Sequence, residues 1–373
     1  MKVLVVFTYG YSLKTWEESG TLKKELEIYD QLSKKFNIEY TFLTYGDIAD
    51  LNIIKKTFNF DVIPVYSIVN KYKNTKINIL MSFFIPFKLF KKIDNFDLIK
   101  QNQLLGSWVS IILKLLTKKP LFLRTGYDMY QFSKYENKSK LKVKLYKYLT
   151  KFSFYLSDLY SVSSNTDFII FKEQFKNKSE KLVLRPNLIS TKKSSFVSLK
   201  DDKKILCVGR LEHQKNFEFV ITEFANTDYV IDIVGEGREK AKLKNLAEIN
   251  NVNLNFLGRI ENEKLNKLYF NYKYFVNASI FEGNPKTVLE ALSKGCIVFL
   301  SNIPNHTEII TDKLNGYIFD LKKDKLISLF KNRDYDLDEN ISQNGISLIA
   351  EKYSLRTGLD NEYGDYKRLL GYY

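Results

Sequence analysis

Short runs rich in β-branched and aromatic residues alternate along this chain with longer stretches whose apolar positions recur every three or four residues. In the first half KVLVVFTY, IEYTFLTY, DVIPVYS, FDLIKQN, PLFLRTGY and LYSVSS read as strands, and KLVLRPN adds another that stops at Pro186. Helical periodicity fits between them, most clearly in TLKKELEIYDQLSKKF and KLKVKLYKYLTKFSFYLS. The polar stretch STKKSSFVSLKDDKK reads as a linker. A second alternating set follows, with ILCVGRL, YVIDIVGEG, LNFLGRI, YFVNAS, CIVFLSN and GYIF as strands. NFEFVITEFA, REKAKLKNLAEIN, NEKLNKLYFN and KTVLEALSK are the helices between them. Strand–helix alternation predicts an α/β chain of two doubly wound domains with parallel sheets, and ligands in such sheets bind outside the carboxyl ends of the strands. A length of 373 residues also exceeds one typical core. The expected division is residues 1–190, residues 191–350 and a C-terminal helical pattern over 351–373 that packs back toward the first domain.

Charge changes this picture in one region. Residues 51–150 carry 19 Lys and Arg against 5 Asp and Glu, whereas the rest of the chain is balanced at 39 against 38. A local excess of this kind suits an anionic partner. The segments NILMSFFIPFKLFKKI and KSKLKVKLYKYLTKFSFYL add apolar and aromatic residues, which points to an anionic membrane surface, although the Phe83–Phe90 stripe fits a core helix equally well. Nucleic acid is not expected, because no nucleic-acid-binding module is visible and the excess lies outside the part of the chain with ordered motifs. No apolar run reaches the ~20 residues of a membrane span. MKVLVVFTYG reads as a first strand and not as a signal peptide. Cys207 and Cys296 sit in apolar strand contexts and read as buried thiols of a reducing compartment. The expected place is the cytoplasm, with peripheral contact at the inner membrane face.

The chemistry collects after the strands of the second set. Arg210 and Lys215 follow ILCVG, where two cations can neutralise a diphosphate. Gly235-x-Gly237 opens the next helix, too short for a full dinucleotide fingerprint. Gly258, Arg259 and Ile260 form a third turn, able to present backbone groups to a planar base. The fourth, FEGNPK, runs into a helix whose first N–H groups and positive dipole end attract oxygens. Glu282 and Glu290 bracket it about two helical turns apart. In a parallel sheet these turns share one rim, and so one site. The acidic trio Asp334, Asp336 and Asp338 reads as a solvated face.

Taken together, VGRLEHQKN, IVGEGREKAKLKNLAEINNVNLNFLGRI, FEGNPKTVLEALSKGC and NHTEIITDKLNGYIF resemble the donor domain of the retaining nucleotide-sugar glycosyltransferases of family 4. The resemblance spans about residues 203–320 and includes that family's Glu-x7-Glu motif; the first half resembles the acceptor domain in layout only. It implies the GT-B architecture, two Rossmann-like domains facing across a cleft, and no metal or other cofactor. It implies that Glu282, Arg210 and Lys215 are catalytic, with the two cations offsetting charge on the leaving diphosphate and Glu282 holding the sugar. Glu290 would bind ribose, Arg259 and Ile260 would border the base, and Gly283, Asn284, Pro285, Lys286, Thr287 and Gly235 would line the donor. Many members carry a Gly-Gly pair in the first turn and a histidine in the acceptor domain. Here Ser19-Gly20 stands at the expected helix start, so Gly20 is grouped with the donor residues, and FLRTGYDMY offers Arg124 and Asp128 on the acceptor side. Both histidines, His213 and His306, fall in the second half, and His213 reads as a solvated neighbour of Arg210. The implied reaction transfers a hexose or N-acetylhexosamine from a nucleotide diphosphate-sugar to a glycan or lipid-linked acceptor, as in surface polysaccharide synthesis. A nucleotide-sugar epimerase of the same fold is one alternative. A non-catalytic protein that binds a glycan or an anionic polymer is another.

Overall fold

The computed structural model describes residues 1–90, 95–190 and 201–372. Among these, every segment that reads as a strand forms one. The first seven are β1 (Lys2–Val6), β2 (Glu39–Thr44), β3 (Asp61–Pro64), β4 (Leu98–Asn102), β5 (Leu121–Arg124), β6 (Leu159–Val162) and β7 (Leu182–Leu184). The remaining six are β8 (Asp201–Val208), β9 (Val230–Val234), β10 (Asn253–Gly258), β11 (Tyr272–Asn277), β12 (Ile297–Ser301) and β13 (Tyr317–Phe319). They build two sheets, in the orders β3-β2-β1-β4-β5-β6-β7 and β10-β9-β8-β11-β12-β13. All pairings are parallel. The chain is thus α/β, with two doubly wound sheets of the same winding.

The continuous apolar runs have a physical reason. A parallel sheet covered by helices is buried on both faces, so neither parity of the strand can be polar. In the second sheet Ile205, Cys207, Ile231, Ile233, Val276 and Phe299 pack into one core, while Leu206, Val208, Val234, Phe275 and Leu300 pack into another. Both cysteines are buried, as expected, and burial pushes the Cys207 thiol well up.

The chain divides into two compact units. The first holds Met1–Ser163, Asp167–Arg185 and the residues from Gly358 on; the second holds Ser164–Thr166 and Pro186–Thr357. The passages fall at Arg185–Pro186 and Thr357–Gly358, away from the expected 190 and 351. Ile189 accounts for the shift: its N–H donates to Tyr353 O at 2.9 Å and its carbonyl accepts from Leu355 N at 3.1 Å, which ties both segments to the second unit. Of the expected linker, residues 191–200 lie outside the described residues, and Asp201–Lys204 are the exposed start of β8.

The closing helix, Leu355–Leu370, belongs to the first unit from Gly358 on. Tyr363 stacks on Phe36 with ring centroids 3.9 Å apart. Arg185 grips Asp365 through two hydrogen bonds of 2.7 and 2.6 Å. Lys100, at the centre of β4, is fully buried against Glu362. Its ammonium also lies 4.7 Å from the Tyr29 ring centroid. Burial opposes charge on both partners, yet each raises the other's preference for the ionised form enough to prevail: the Lys100 pKa is raised and the Glu362 pKa lowered.

One expectation is corrected here. Asp334 and Asp336 are exposed, but Asp338 is buried, paired with Arg333 at 3.2 Å and Lys273 at 3.1 Å. An acid that caps a buried guanidinium differs in kind from its two solvated neighbours.

Candidate functional site

The turns after β8, β9, β10 and β11 lie along one edge of the second sheet, because parallel strands end on the same side. Glycine draws them together. Gly235 has φ +146° in the turn after β9, and a Cβ there would fall 1.9 Å from Gly209 O in the turn after β8. A Cβ at Gly237 would meet the Leu211 backbone at 2.3 Å. The Gly-x-Gly pair therefore serves close backbone approach, which an L side chain would block. Gly235 N–H also donates to Gly258 O at 2.8 Å, joining the third turn to the second.

Lys215 and Glu282, predicted on separate turns, form an ion pair. Two hydrogen bonds fix the loops that bring them together: Ile280 N–H to Gln214 O at 2.9 Å, and Gln214 Nε2 to Phe281 O at 2.8 Å. The Lys215 stem passes over Gly209, where a Cβ would lie 3.0 Å from its Cδ and Cε. Ser279 Oγ donates to Glu282 Oε1 at 2.7 Å. Burial alone would raise the Glu282 carboxyl, but Lys215 and the Ser279 hydrogen bond outweigh it, and the pKa lies below the usual carboxylate range.

His306, just past β12, completes this cluster. It is fully buried, and Nδ1 lies 2.9 Å from Ser301 O. A carbonyl can only accept, so Nδ1 carries the proton and Nε2 is left with a lone pair. Nε2 has no hydrogen-bond partner among the described residues, and neither has the buried Nδ2 of Asn277 at the end of β11. Burial, aided by the Lys215 charge, lowers the His306 pKa to about 4 against the opposing pull of Glu282. The ring is neutral at pH 7. The sequence reading passed over His306, Ser279 and Ser301, although the rule that found the other turns applies equally after β12.

Glu290 is buried one turn inside the helix Lys286–Ser293. Helix begins only after Pro285, whose φ of −75° and ψ of 98° are extended, so the expected two helical turns between the glutamates are one turn and a loop. Glu290 accepts from Tyr269 Oη at 3.3 Å and from Asn262 Nδ2 at 3.5 Å. Asn262 opens the helix that follows the Arg259-Ile260 turn. Arg259 is exposed, and Ile260 is half-buried against one of the sheet's two cores.

The remaining donor residues divide. Gly283, Asn284 and Pro285 are buried, and Lys286 and Thr287 are half-buried at the helix start. Asn284 is engaged from within its own unit: its Oδ1 accepts from Asn187 N and its carbonyl from Asn187 Nδ2, at 2.9 and 2.7 Å. Arg210 is exposed on the same loop as Lys215. His213 is exposed too, and its ring nitrogen and the Glu218 and Glu239 carboxylates come within 4.8 Å of one another.

Three predicted residues belong to the first unit. Gly20, with φ +66°, lies between the helices Leu13–Glu18 and Leu22–Phe36. The turn leaving β1 is occupied instead by Phe7–Ser12, because Ser12 caps a short helix that the periodicity did not reveal. Arg124 ends β5, half-buried, near enough to Lys100 and Glu362 for its charge to act on both. Asp128 is the buried N-cap of the helix Met129–Tyr135, accepting from Tyr130 N at 3.0 Å. Burial pushes its pKa up to about 6.

Known proteins resemble this chain in sequence and in fold. Residues 189–348 match the family model of glycosyl transferases group 1. Over 228 residues the chain is 29% identical to a GalNAc-alpha-(1->4)-GalNAc-alpha-(1->3)-diNAcBac-PP-undecaprenol alpha-1,4-N-acetyl-D-galactosaminyltransferase of Campylobacter jejuni, 59% of this chain and 62% of that one. Over 193 residues it is 31% identical to an N-acetylgalactosamine-N,N'-diacetylbacillosaminyl-diphospho-undecaprenol 4-alpha-N-acetylgalactosaminyltransferase of the same organism, 45% of this chain and 50% of that one. The chain thus spans between half and 62% of the length of these two relatives. Among solved structures, Anabaena Alr3699/HepE in complex with UDP and glucose superposes with a TM-score of 0.76 at 14% identity, over 99% of this chain and 100% of that one. Sucrose-phosphate synthase from Thermosynechococcus elongatus gives 0.77 at 14%, over the whole of both chains. At this identity the likeness establishes the fold, which is that of the GT-B glycosyltransferases.

Proposed function

We propose that this chain is a retaining glycosyltransferase that moves a hexose or N-acetylhexosamine from a nucleoside diphosphate-sugar to a lipid-linked glycan. The observation that carries the reading is the buried cluster of Lys215, Glu282, Ser279 and His306 at the strand ends. The relatives support it: the two from C. jejuni are named for N-acetylgalactosamine transfer to undecaprenol-linked glycans, and the Anabaena protein is in complex with UDP and glucose.

Transfer breaks the bond between the sugar C1 and the diphosphate oxygen, and forms one from C1 to the acceptor oxygen on the same face. The acceptor proton passes to the departing phosphate oxygen. Negative charge builds on the diphosphate, and fixed cations stabilise it. Lys215 has three N–H donors and spends one on Glu282, so the same ammonium can hold the carboxylate and a phosphate oxygen together. Arg210 adds charge from the exposed end of that loop. Glu282, kept ionised, accepts from sugar hydroxyls, and the neutral Nε2 of His306 offers a further acceptor. Glu290, steadied by Tyr269 and Asn262, accepts from the ribose. No step in this scheme calls for a metal.

The test is a thermal-shift panel of nucleotide-sugars followed by nucleotide-release kinetics with the best stabiliser. Glu290→Gln is expected to weaken donor binding, and Glu282→Gln to slow transfer more than it weakens binding. Wild-type activity should persist in EDTA. Unchanged activity in both variants would sink the assignment.

A further inference from the structure

The helix Lys140–Leu156 in the first unit buries one face and leaves an apolar face exposed on the opposite side. Its inner face, with Thr150, Ser153 and Phe154, is buried. Its outer face presents Leu141, Leu145, Tyr148, Phe152, Tyr155 and Leu156 to water, with Leu141 at 79% and Leu145 at 61% exposure. At 3.6 residues per turn these six fall within an arc of about 100° that runs the helix's length of about 25 Å. Lys140, Lys144, Lys147 and Lys151 line one border of the stripe and Lys142 the other. The sequence contains no acid between Glu136 and Asp158.

A second element exposes the same chemistry. The helices Thr75–Ser82 and Ile85–Leu89 bury Ile85, Pro86 and Leu89 but leave Ile77, Ile79, Leu80, Phe83, Phe84 and Phe87 in water. Here too the sequence carries six lysines and no acid between Asp61 and Asp94. Both elements are anchored to one helix, Ser107–Thr117. Trp108 stacks on Phe83 at 5.5 Å and donates to Ser82 Oγ at 2.8 Å. From the same helix, Ser107 bonds Ser153 at 2.8 Å and Lys114 Nζ donates to Leu156 O at 2.8 Å.

Exposed apolar rows of this extent mark a docking surface, and the lysines decide the occupant. A second copy of the chain would set the same cations against one another. A bilayer bearing anionic lipid would accept the apolar stripe among its acyl chains and the lysines among its head groups, with tyrosines at the boundary. We infer that these helices form a face that binds flat on an anionic membrane surface. The transfer reaction plays no part in this inference, so each can fail without the other.

The test is co-sedimentation of the full chain with vesicles of phosphatidylcholine alone and of phosphatidylcholine with phosphatidylglycerol, without nucleotide. Binding is expected only with phosphatidylglycerol, and should weaken as salt rises. Leu145→Glu with Phe152→Glu, and separately Phe84→Glu with Phe87→Glu, should each reduce it tenfold or more. Lys144→Gln and Lys151→Gln should each cost about fivefold at low salt. A Tyr148→Trp reporter should shift its emission to the blue when vesicles are added, and all variants should melt with the wild type. Equal binding to both vesicle types, an unmoved reporter, or insensitivity to the glutamate pairs would overturn the inference. A dimer in sedimentation velocity that the same pairs dissolve would assign the face to a second copy, and overturn it as well.

Discussion

Among the described residues each unit buries a lysine–glutamate pair, and the two pairs do opposite things. Lys100 and Glu362 have side-chain exposures of 2% and 5%, with the Tyr29 ring and the Tyr366 hydroxyl closing over them. Lys215 and Glu282 are at 14% and 8%, and beside them lie acceptor and donor atoms with no partner among the described residues, Nε2 of His306 and Nδ2 of Asn277. The first pair is sealed by its neighbours, apart from the buried Tyr40 hydroxyl near Glu362, which has no hydrogen-bond partner among the described residues, and the charges hold one helix to one strand. In the second the polar capacity exceeds what the protein itself uses. What separates the two is that the second pair is incompletely sealed and has an imidazole acceptor among the unused polar atoms around it, which a ligand can satisfy, and leaving such groups unused is costly.

Breaking the closed pair should have the largest effect. Glu362→Ala leaves Lys100 buried without its carboxylate and should destabilise the first unit by about 3–5 kcal/mol. Denaturant melting would show this, and a loss under 1 kcal/mol would remove the distinction. Lys215→Ala should instead lower transfer about 10²–10³-fold, the cost of one lost anion donor, with a much smaller change in melting. If it unfolds the protein as Glu362→Ala does, the second pair is structural too.

The pH dependence sharpens the contrast. Unfolded histidine titrates near 6.5, whereas His306 is lowered to about 4. The unfolded chain therefore binds the proton first, and folding stability contributed by His306 is complete above pH 6.5 and drains away toward pH 4. The loss should reach about 3 kcal/mol, and His306→Gln should flatten that slope in a melting series. The smallest effect tests the acidic trio: Asp334→Asn should lie within about 0.5 kcal/mol of wild type, as surface changes do. Asp338→Asn, which removes the buried charge that pairs with Arg333 and Lys273, should be clearly destabilising.

The fold was legible because its strands are buried on both faces, and KVLVV or CIVFLS have few other ways to be soluble. The rim of the second sheet was legible for a related reason, since a polar residue after such a run marks a strand end. His306 obeys that rule too, but PNH also resembles an ordinary helix start, and nothing local says that the ring turns inward. The start of β8 was illegible, because Asp201–Lys204 are exposed and carry no periodicity. The Lys100–Glu362 pair could not be read at all: its members are 262 residues apart, and nothing local in FDLIKQN says that a lysine faces inward. Asp338 differs from Asp334 only in what folds over it.

That separation also has a consequence in time. A ribosome adding 5–20 residues per second takes roughly 10–50 s to pass from Lys100 to Glu362. From the time β7 has been made, the first sheet has its strands but lacks the counter-charge for its central lysine. The second unit, whose residues are made meanwhile, needs nothing after Thr357. The part of the chain synthesised first is thus the last to be finished, and its strands must wait for the final helix to seal them.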